Sequence, residues 1–318
     1  MRQIKTPPSE GGGPFAVMDL GTNTFHLLIA EGSIHNFREI VHEHVAVKIG
    51  EGGINKGIIL PFAFERGVDT MKRFKDEIDR YGVQKVRAIA TSALRNASNG
   101  KDFIERVKAE AGIEIEIING DQEACFIYEG VKAAGLLTAE NSLIMDIGGG
   151  SVEFIVGNHE KVAWKQSFEI GAARLMEQFH HTDPMSPASI EAINMYLAHA
   201  LNDLLVTVPL MQVYNLIGSS GSFETFAELA ANRRDDDFDL DKVKGYIFDY
   251  EELILVTDEM IRSTHAEREA NDAVIPVRVD MIVVSSIITR FILHTLDITN
   301  VALCTHSLKE GVLAEMMK

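Results

Sequence analysis

The chain has 318 residues, of which 46% are hydrophobic, and it carries a formal net charge of -17 at pH 7. That length and apolar content are enough for two hydrophobic cores, whereas the acidic balance argues against general binding of nucleic acid or anionic membranes. The two cysteines, Cys125 and Cys304, lie far apart, so we expect reduced core thiols in a cytoplasmic protein rather than a disulfide.

Two segments need to be distinguished from targeting or membrane elements. Residues 1–13 are polar and rich in proline and glycine, which predicts a disordered lead-in rather than a signal peptide. The most apolar run, residues 281–296, contains Arg290 and His294 and is shorter than the ~20 residues of a membrane span. We therefore expect a buried helix there and no membrane partner.

Strand and helix patterns alternate through the first part of the chain. A β-hairpin is predicted over residues 15–32, with extended chain to about 49. Apolar residues then recur every three or four positions from Phe64 to Tyr81, which is typical of an amphipathic helix. The next predicted elements are a strand at 85–91, a helix at 101–112 stopped by Gly112, a strand at 113–118, and a helix at 121–135 with Asp121 as its N-cap.

The same plan restarts with a second hairpin over residues 142–157. The later elements are a helical stretch at 187–206, a strand at 213–218, a helix at 222–230, a charged surface stretch at 232–245, helices at 250–264 and 280–296, a strand at 300–305 and a last helix from 307. We expect two similar domains, 14–123 and 124–305, with the C-terminal helix, about 306–318, packed back onto the first.

The two hairpins share one motif. "FAVMDLGTNTFHLLIAEG" (15–32) and "SLIMDIGGGSVEFIVG" (142–157) place Asp19 and Asp146 at matching positions, each two residues before a glycine, Gly21 and Gly148. Glycine turns let backbone N–H groups converge into a nest that binds anions such as phosphate. A carboxylate beside such a turn would repel a bare phosphate, so the motif predicts a metal ion or an attacking water between them.

A third loop, "LIGSSGSFETF" (216–226), runs from an apolar strand into a helix. Glycines and serines at a helix N-terminus offer unpaired N–H groups to an anion, although an ordinary capped helix start is the alternative. The loop lacks the Gly-Lys-Ser/Thr ending of a Walker A motif. The turn at 148–150 is followed by a strand, which also excludes the dinucleotide-binding fingerprint.

These blocks together resemble the exopolyphosphatase / guanosine-pentaphosphate phosphohydrolase family. In order they are "MDLGTNTFHLLIA", "AIATSALRNASNG", "INGDQEACFIYEGV", "LIMDIGGGSVEFIVG", "EIGAARL", "LIGSSGSFETFAEL" and "SLKEGVL". The family is part of the actin, sugar-kinase and Hsp70 superfamily. The resemblance implies an α/β fold of two ribonuclease-H-like domains that face a central cleft. It also implies hydrolysis of terminal phosphoanhydride bonds of polyphosphate or guanosine pentaphosphate with Mg²⁺.

The resemblance also assigns residues. Glu123 and Asp146 are expected to be catalytic and to hold Mg²⁺. The residues expected to bind substrate phosphate are Asp19, Gly21, Thr22, Asn23, Thr24, Arg95, Gly148, Gly149, Gly150, Ser151, Gly218, Ser220, Gly221, Ser222 and Arg278. His26 and Lys48 stand where the family often has arginine, so we expect weaker binding of a long polyanion.

Other interpretations remain open at this point. Glu123 could be a first-turn glutamate that favours the helix dipole, and Arg95 could be a surface charge that follows a strand. The whole chain could be a small-molecule kinase of the same superfamily or a non-catalytic nucleotide-binding switch. A homodimer is also left open.

Overall fold

The computed structural model describes residues 13–33, 36–234 and 238–318. The lead-in predicted for 1–13 therefore lies outside the described residues, apart from Gly13, and so does the middle of the charged stretch, 235–237. None of the described helices combines the length and apolar character that crossing a membrane requires. Cys304 is buried but Cys125 is exposed, so the expectation of two core thiols is wrong for Cys125.

The described residues form eleven strands and twelve α-helices. The strands are β1 Phe15–Leu20, β2 Phe25–Ser33, β3 Asn36–Val45, β4 Lys85–Ala90, β5 Ile115–Ile117, β6 Ser142–Ile147, β7 Val152–Gly157, β8 Val162–Phe168, β9 Asn215–Ser219, β10 Gly245–Ile247 and β11 Asn300–Cys304. The helices are α1 Pro61–Arg80, α2 Ser92–Asn96, α3 Gly100–Ala111, α4 Gly120–Ala134, α5 Ala172–Phe179, α6 Pro187–Ala200, α7 Asn202–Thr207, α8 Gly221–Arg234, α9 Tyr250–Arg262, α10 His265–Glu269, α11 Met281–Thr295 and α12 Leu308–Met316.

The strands form two sheets with the same internal order. The first sheet runs β3-β2-β1-β4-β5, and the second, read in the matching direction, runs β8-β7-β6-β9-β11-β10. In each, the strand that carries the matched aspartate, Asp19 or Asp146, pairs antiparallel with the next strand and parallel with a later one. The predicted α/β fold of two ribonuclease-H-like units is confirmed, with β10 as an addition to the second sheet.

The structure changes some predicted boundaries. Asn119, not Asp121, is the N-cap of α4, because its side chain accepts the Gln122 N–H at 2.9 Å while the Gln122 side chain accepts the Asn119 N–H at 3.0 Å. Gly112 ends α3 with φ of 68°, as predicted. The helical stretch at 187–206 is divided at Leu201 between α6 and α7. The patterns gave no prediction for β8, β10, α2, α5 or α10.

Helices α4 and α12 connect the two sheets. One core cluster contains Val17 and Leu28 from the first sheet, Ile144 from the second, and apolar residues of both helices. α12 lies against β1 and α4, and α4 lies against β7 and β8. The predicted domain boundary between 123 and 124 falls inside α4.

Two glycines allow α4 and α12 to touch through their backbones. A Cβ on Gly130 would meet the Ser307 carbonyl, and a Cβ on Gly311 would meet the Phe126 carbonyl of the facing helix. Backbone atoms cannot rotate away from a clash as a flexible side chain can. Both positions therefore require glycine for packing, although α-helices otherwise disfavour it.

We expect Gly311→Ala to destabilise the protein by about 1–3 kcal/mol or more, because the added methyl group forces the two helices apart. Chemical denaturation followed by circular dichroism measures the change in the free energy of unfolding. Cys125→Ala is the matched control, since Cys125 is exposed on the same helix α4. Equal stability of the two variants would contradict the backbone contact.

Candidate active site

The turns of the two matched hairpins face each other. The first turn, residues 21–24, is closed by the Gly21 N–H, which donates to the Thr24 carbonyl at 3.1 Å. The second turn, residues 148–151, is closed in the same way by Gly148 and Ser151 at 3.0 Å. The space beside Gly149 is filled by the side chains of Thr22 and Asn23, so the turns are in contact.

Neighbouring segments use the carbonyl groups of both turns. In the first turn, the Thr22 and Asn23 carbonyls accept from the Gly50 and Lys48 amides at 3.1 and 2.7 Å. In the second, the carbonyls of Gly148 and Gly149 accept from the first amides of α5, both at 2.9 Å. Within the ranges that the structure describes, the amides of Gly149 and Gly150 donate to no protein acceptor. They form the kind of N–H nest that binds an anion.

Glu123 lies near the start of α4 and is 7% exposed. Its Oε2 accepts from Arg95 Nη1 at 2.9 Å, and Arg95 Nη1 also donates to the Ile118 carbonyl at 3.1 Å. Burial raises the pKa of Glu123 to about 7, against the lowering effect of Arg95 and with a further contribution from Asp146. A carboxylate with this pKa can accept a proton near neutral pH.

Three further carboxylates surround this site. Burial raises the pKa of Asp19 to about 7, and the negative charge of Glu123 adds to the effect. Burial also raises the pKa of Asp146, although a hydrogen bond from Ser219 Oγ, at 2.6 Å, acts against it. The pKa of Glu153 is raised well above its usual value by burial and by the charge of Glu123, and its Oε1 accepts from Ser167 Oγ at 2.6 Å.

The third loop also reaches the site, but its side chains have protein partners. Gly218 makes room for the Phe223 ring. Ser220, with φ of 65°, donates from Oγ to the Ile147 carbonyl at 3.2 Å, and Ser222 Oγ donates to Ser285 Oγ at 2.9 Å. The loop hydroxyls thus fasten the end of β6 and the start of α8.

Arg278 lies beside the first residue of α8. Its guanidinium covers the face where Gly221 has no side chain. Nη2 donates to Glu224 Oε2 at 2.7 Å, and Nη1 donates to Thr225 Oγ1 at 3.0 Å. The positive charge of Arg278 is therefore balanced within the protein.

Comparison with known proteins identifies the family. The model of the Ppx/GppA phosphatase family matches residues 28–318. The chain belongs to this family. The resemblance in the sequence blocks is thus confirmed.

Full-length relatives and solved structures agree. Exopolyphosphatase 2 of Mycobacterium tuberculosis is 28% identical, with 93% of this chain and 96% of that protein covered. An exopolyphosphatase structure from Cytophaga hutchinsonii is 39% identical, with a TM-score of 0.93 and coverage of 96% and 97%. A Ppx/GppA family structure from Aquifex aeolicus is 26% identical, with a TM-score of 0.80 and the same coverage.

Other relatives are longer than this chain. It covers 26% of a bifunctional 3-dehydroquinate synthase/phosphatase of Fusobacterium nucleatum, at 37% identity over 52% of this chain. It covers 59% of a guanosine-5'-triphosphate,3'-diphosphate pyrophosphatase of Photobacterium profundum, at 26% identity over 95% of this chain. Ppx/GppA sequences therefore occur both alone and within larger proteins.

Sequence reasoning missed four charged residues of this candidate site, Glu153, Glu169, Arg174 and Lys309. Glu153 carried a signal, since a charged residue within the apolar run of β7 is unusual and it pairs across the strands with Asp146. Lys309 is buried at the start of α12, with Nζ 3.0 Å from Glu310 Oε1. Burial alone would lower the pKa of Lys309, but the charges of Glu310 and Glu224 raise it above its usual value.

The acidic side chains of the site are candidate ligands for a divalent cation. Among the described residues, no three acidic, histidine or cysteine side chains lie close enough to cage a metal. Magnesium, however, is commonly held by one or two carboxylates together with water and substrate phosphates. Asp19 Oδ1 is buried and has no partner in the described part of the chain. The residues present fit a magnesium ion bound in this open manner.

A larger cavity lies elsewhere, between α6, α9 and α11. Its volume is about 510 Å³, and Met185, Ile190 and Ile287 are among its lining residues. A smaller cavity of about 320 Å³ is lined by Arg95, Glu169 and the first residues of α4. Only the smaller of these two contacts residues of the phosphatase site described above.

Gly171 fixes the second turn against α5. A Cβ there would meet backbone atoms of Gly149 and Gly150, so Gly171→Ala must displace the turn. We expect kcat/KM for phosphate release to fall by about 100-fold, since a displacement near 1 Å can have that effect. Gln178→Ala, on the exposed face of α5, should keep kcat/KM. Unchanged kinetics in Gly171→Ala would show that the turn does not act in the reaction.

Proposed function

We propose that this chain hydrolyses the terminal phosphoanhydride bond of inorganic polyphosphate or guanosine pentaphosphate and releases orthophosphate. The observation that carries the proposal is the ion pair between the buried Glu123 and the partly buried Arg95, 2.9 Å apart, in a site formed by two facing glycine turns. The site thus combines a candidate base with amide groups suited to phosphate. Relatives named exopolyphosphatase and guanosine-5'-triphosphate,3'-diphosphate pyrophosphatase support this reaction class.

In the proposed mechanism the two turns bind the phosphates through their backbone amides. Glu123 uses one oxygen for Arg95 and the other to orient and deprotonate a water molecule. The water oxygen forms a bond to the terminal phosphorus while the bond from phosphorus to the bridging oxygen breaks. The proton passes to Glu123, and the shortened phosphate chain leaves with the bridging oxygen. Arg95 binds the terminal phosphate through its positive charge.

Magnesium would be held by Asp146, because both oxygens of Glu123 are used by Arg95 and the water. The buried Asp19 Oδ1, which has no partner in the described part of the chain, would supply a further ligand. When bound, the ion would neutralise negative charge on the phosphate oxygens. A cation is favoured here because the carboxylates repel one another: the charge of Asp146 contributes to the raised pKa of both Asp19 and Glu123.

Glu123→Gln tests the proposed base. The change keeps the size of the side chain but removes its charge and basicity, so we expect kcat to fall by about 10²–10⁴-fold with little change in KM. Arg95→Ala should instead mainly raise KM, because it removes a charged contact to phosphate. Steady-state phosphate release measures both. Near-normal turnover in Glu123→Gln would require another base, at Asp146 or Asp19.

The reaction and its metal requirement are tested together with four substrates: long polyphosphate, tripolyphosphate, guanosine pentaphosphate and ATP. We expect phosphate release with Mg²⁺ and its loss with EDTA. A kinase would require an acceptor for phosphate, and a nucleotide-binding switch would turn over slowly. Release from none of the first three substrates would reject the proposal.

Among these substrates, we expect short or nucleotide-linked phosphates to be favoured over long polymer. Four cationic side chains around the site already have carboxylate partners: Arg95 with Glu123 and Glu169, Arg174 with Glu169, Arg278 with Glu224, and Lys309 with Glu310. Burial lowers the pKa of His26 well below its usual value, so His26 adds no charge. A higher kcat/KM for long polyphosphate than for tripolyphosphate would contradict this expectation.

A further inference from the structure

Glu169 connects two arginines across the cleft. It lies between β8 of the second sheet and α5, and its Oε1 accepts from Arg95 Nη2 at 3.1 Å. Its Oε2 accepts from Arg174 Nη2 at 2.9 Å and from Ser92 Oγ at 2.7 Å. Ser92 and Arg95 belong to α2, which follows β4 of the first sheet, so one carboxylate joins both sides.

Each of these arginines also contacts the proposed reaction machinery. Arg95 Nη1 donates to Glu123 Oε2 at 2.9 Å. Arg174 Nε donates to the carbonyl of Gly150 in the second turn at 3.2 Å, and Nη1 donates to the Ile54 carbonyl at 3.2 Å. A guanidinium has a rigid planar set of donors, so fixing one edge on Glu169 orients the other edge.

We infer that Glu169 is a positioning residue that orients Arg95 toward Glu123 and Arg174 toward the second turn, and thereby aligns the two sides of the cleft. The inference rests on the proposed function. Glu169 itself makes no contact assigned to substrate. It acts through the two arginines.

Charge balance supports this role. Arg95 and Arg174 carry two positive charges, which Glu123 and Glu169 balance. If Glu169 is removed, Glu123 is the one carboxylate left to balance the two guanidinium groups, and it pairs with Arg95. Arg174 then loses its only ion pair in the described part of the chain. Burial alone would raise the pKa of Glu169, but hydrogen bonds from Ser92, Asn96 and Arg95 lower it, which keeps the group ionised.

The effect on activity should exceed the effect on stability. The Glu169 side chain is 43% exposed, and ion pairs that reach water contribute little to folding. Groups that orient a functional side chain, in contrast, typically change activity by about 10–100-fold when removed. This difference separates a positioning role from a merely structural one.

The test compares Glu169→Ala, Glu169→Gln and Glu177→Ala. Glu177 is the matched control, because it accepts from Asn55 across the same interface at 3.1 Å but does not contact Arg95. We expect Glu169→Ala to lower kcat/KM by about 10–100-fold, with a raised KM as in Arg95→Ala and nearly unchanged thermal stability, Glu169→Gln to recover part of kcat/KM, and Glu177→Ala to keep it. An unchanged kcat/KM in Glu169→Ala would overturn the inference.

A double-mutant cycle with Arg95→Ala gives the second measurement. If Glu169 acts through Arg95, Glu169→Ala should cost much less in the Arg95→Ala background than in the wild type. A loss of the same size in both backgrounds would show that Glu169 acts independently of Arg95, against the inference.

A crystal structure of Glu169→Ala separates this inference from the proposed function. We expect Arg95 to leave Glu123, breaking the contact of 2.9 Å, whether or not the wild type releases phosphate from the chosen substrates. Retention of both the Arg95–Glu123 and Arg174–Gly150 contacts would reject the positioning role. Absence of wild-type phosphate release would instead reject the proposed function.

Discussion

The backbone contact between α4 and α12 is the constraint on which the site depends. Gly130 and Gly311 let the two helices approach so closely that α12 can lie on β1 of the first sheet while α4 lies on β7 and β8 of the second. Glu123, near the start of α4, is thereby held in a fixed relation to both glycine turns. A larger residue at the contact would separate the helices and, with them, the proposed base from the phosphate-binding amides.

Near the contact between α4 and α12 the protein buries several carboxylates close together. The charges of Glu123 and Asp146 raise the pKa of Asp19, and the charge of Asp146 also raises the pKa of Glu123. Lys309, at the start of α12, lowers the pKa of Asp19 and Asp146. Buried ionised groups are costly unless they are paired or bind a cation. A cation bound at the proposed phosphate site would therefore stabilise the ionised form of these carboxylates.

Local sequence patterns were informative where one element carries its own signal. The repeated Asp-x-Gly motif predicted the two hairpins, the periodic apolar residues predicted α1, and the apolar run at 281–296 predicted the buried α11. The N-cap of α4 was misplaced because both Asn119 and Asp121 have acceptor side chains, and only the extended backbone of Asn119 selects between them. The strand β8 was missed because its residues are mostly half-buried and do not alternate clearly.

The sequence by itself determined the family and the two matched turns, since both depend on short blocks of contiguous residues. Through the family resemblance it also proposed Glu123 as the candidate base. The tertiary structure alone decided which charges are partners. Arg95 and Glu169 are 74 positions apart, and Arg95 and Glu123 are 28 positions apart. Periodicity reports whether a side chain faces the core or solvent, but a partner across a cleft is fixed only when separate sheets have packed together. That is why the role of Glu169 could be inferred from the folded chain and not from its pattern of residues.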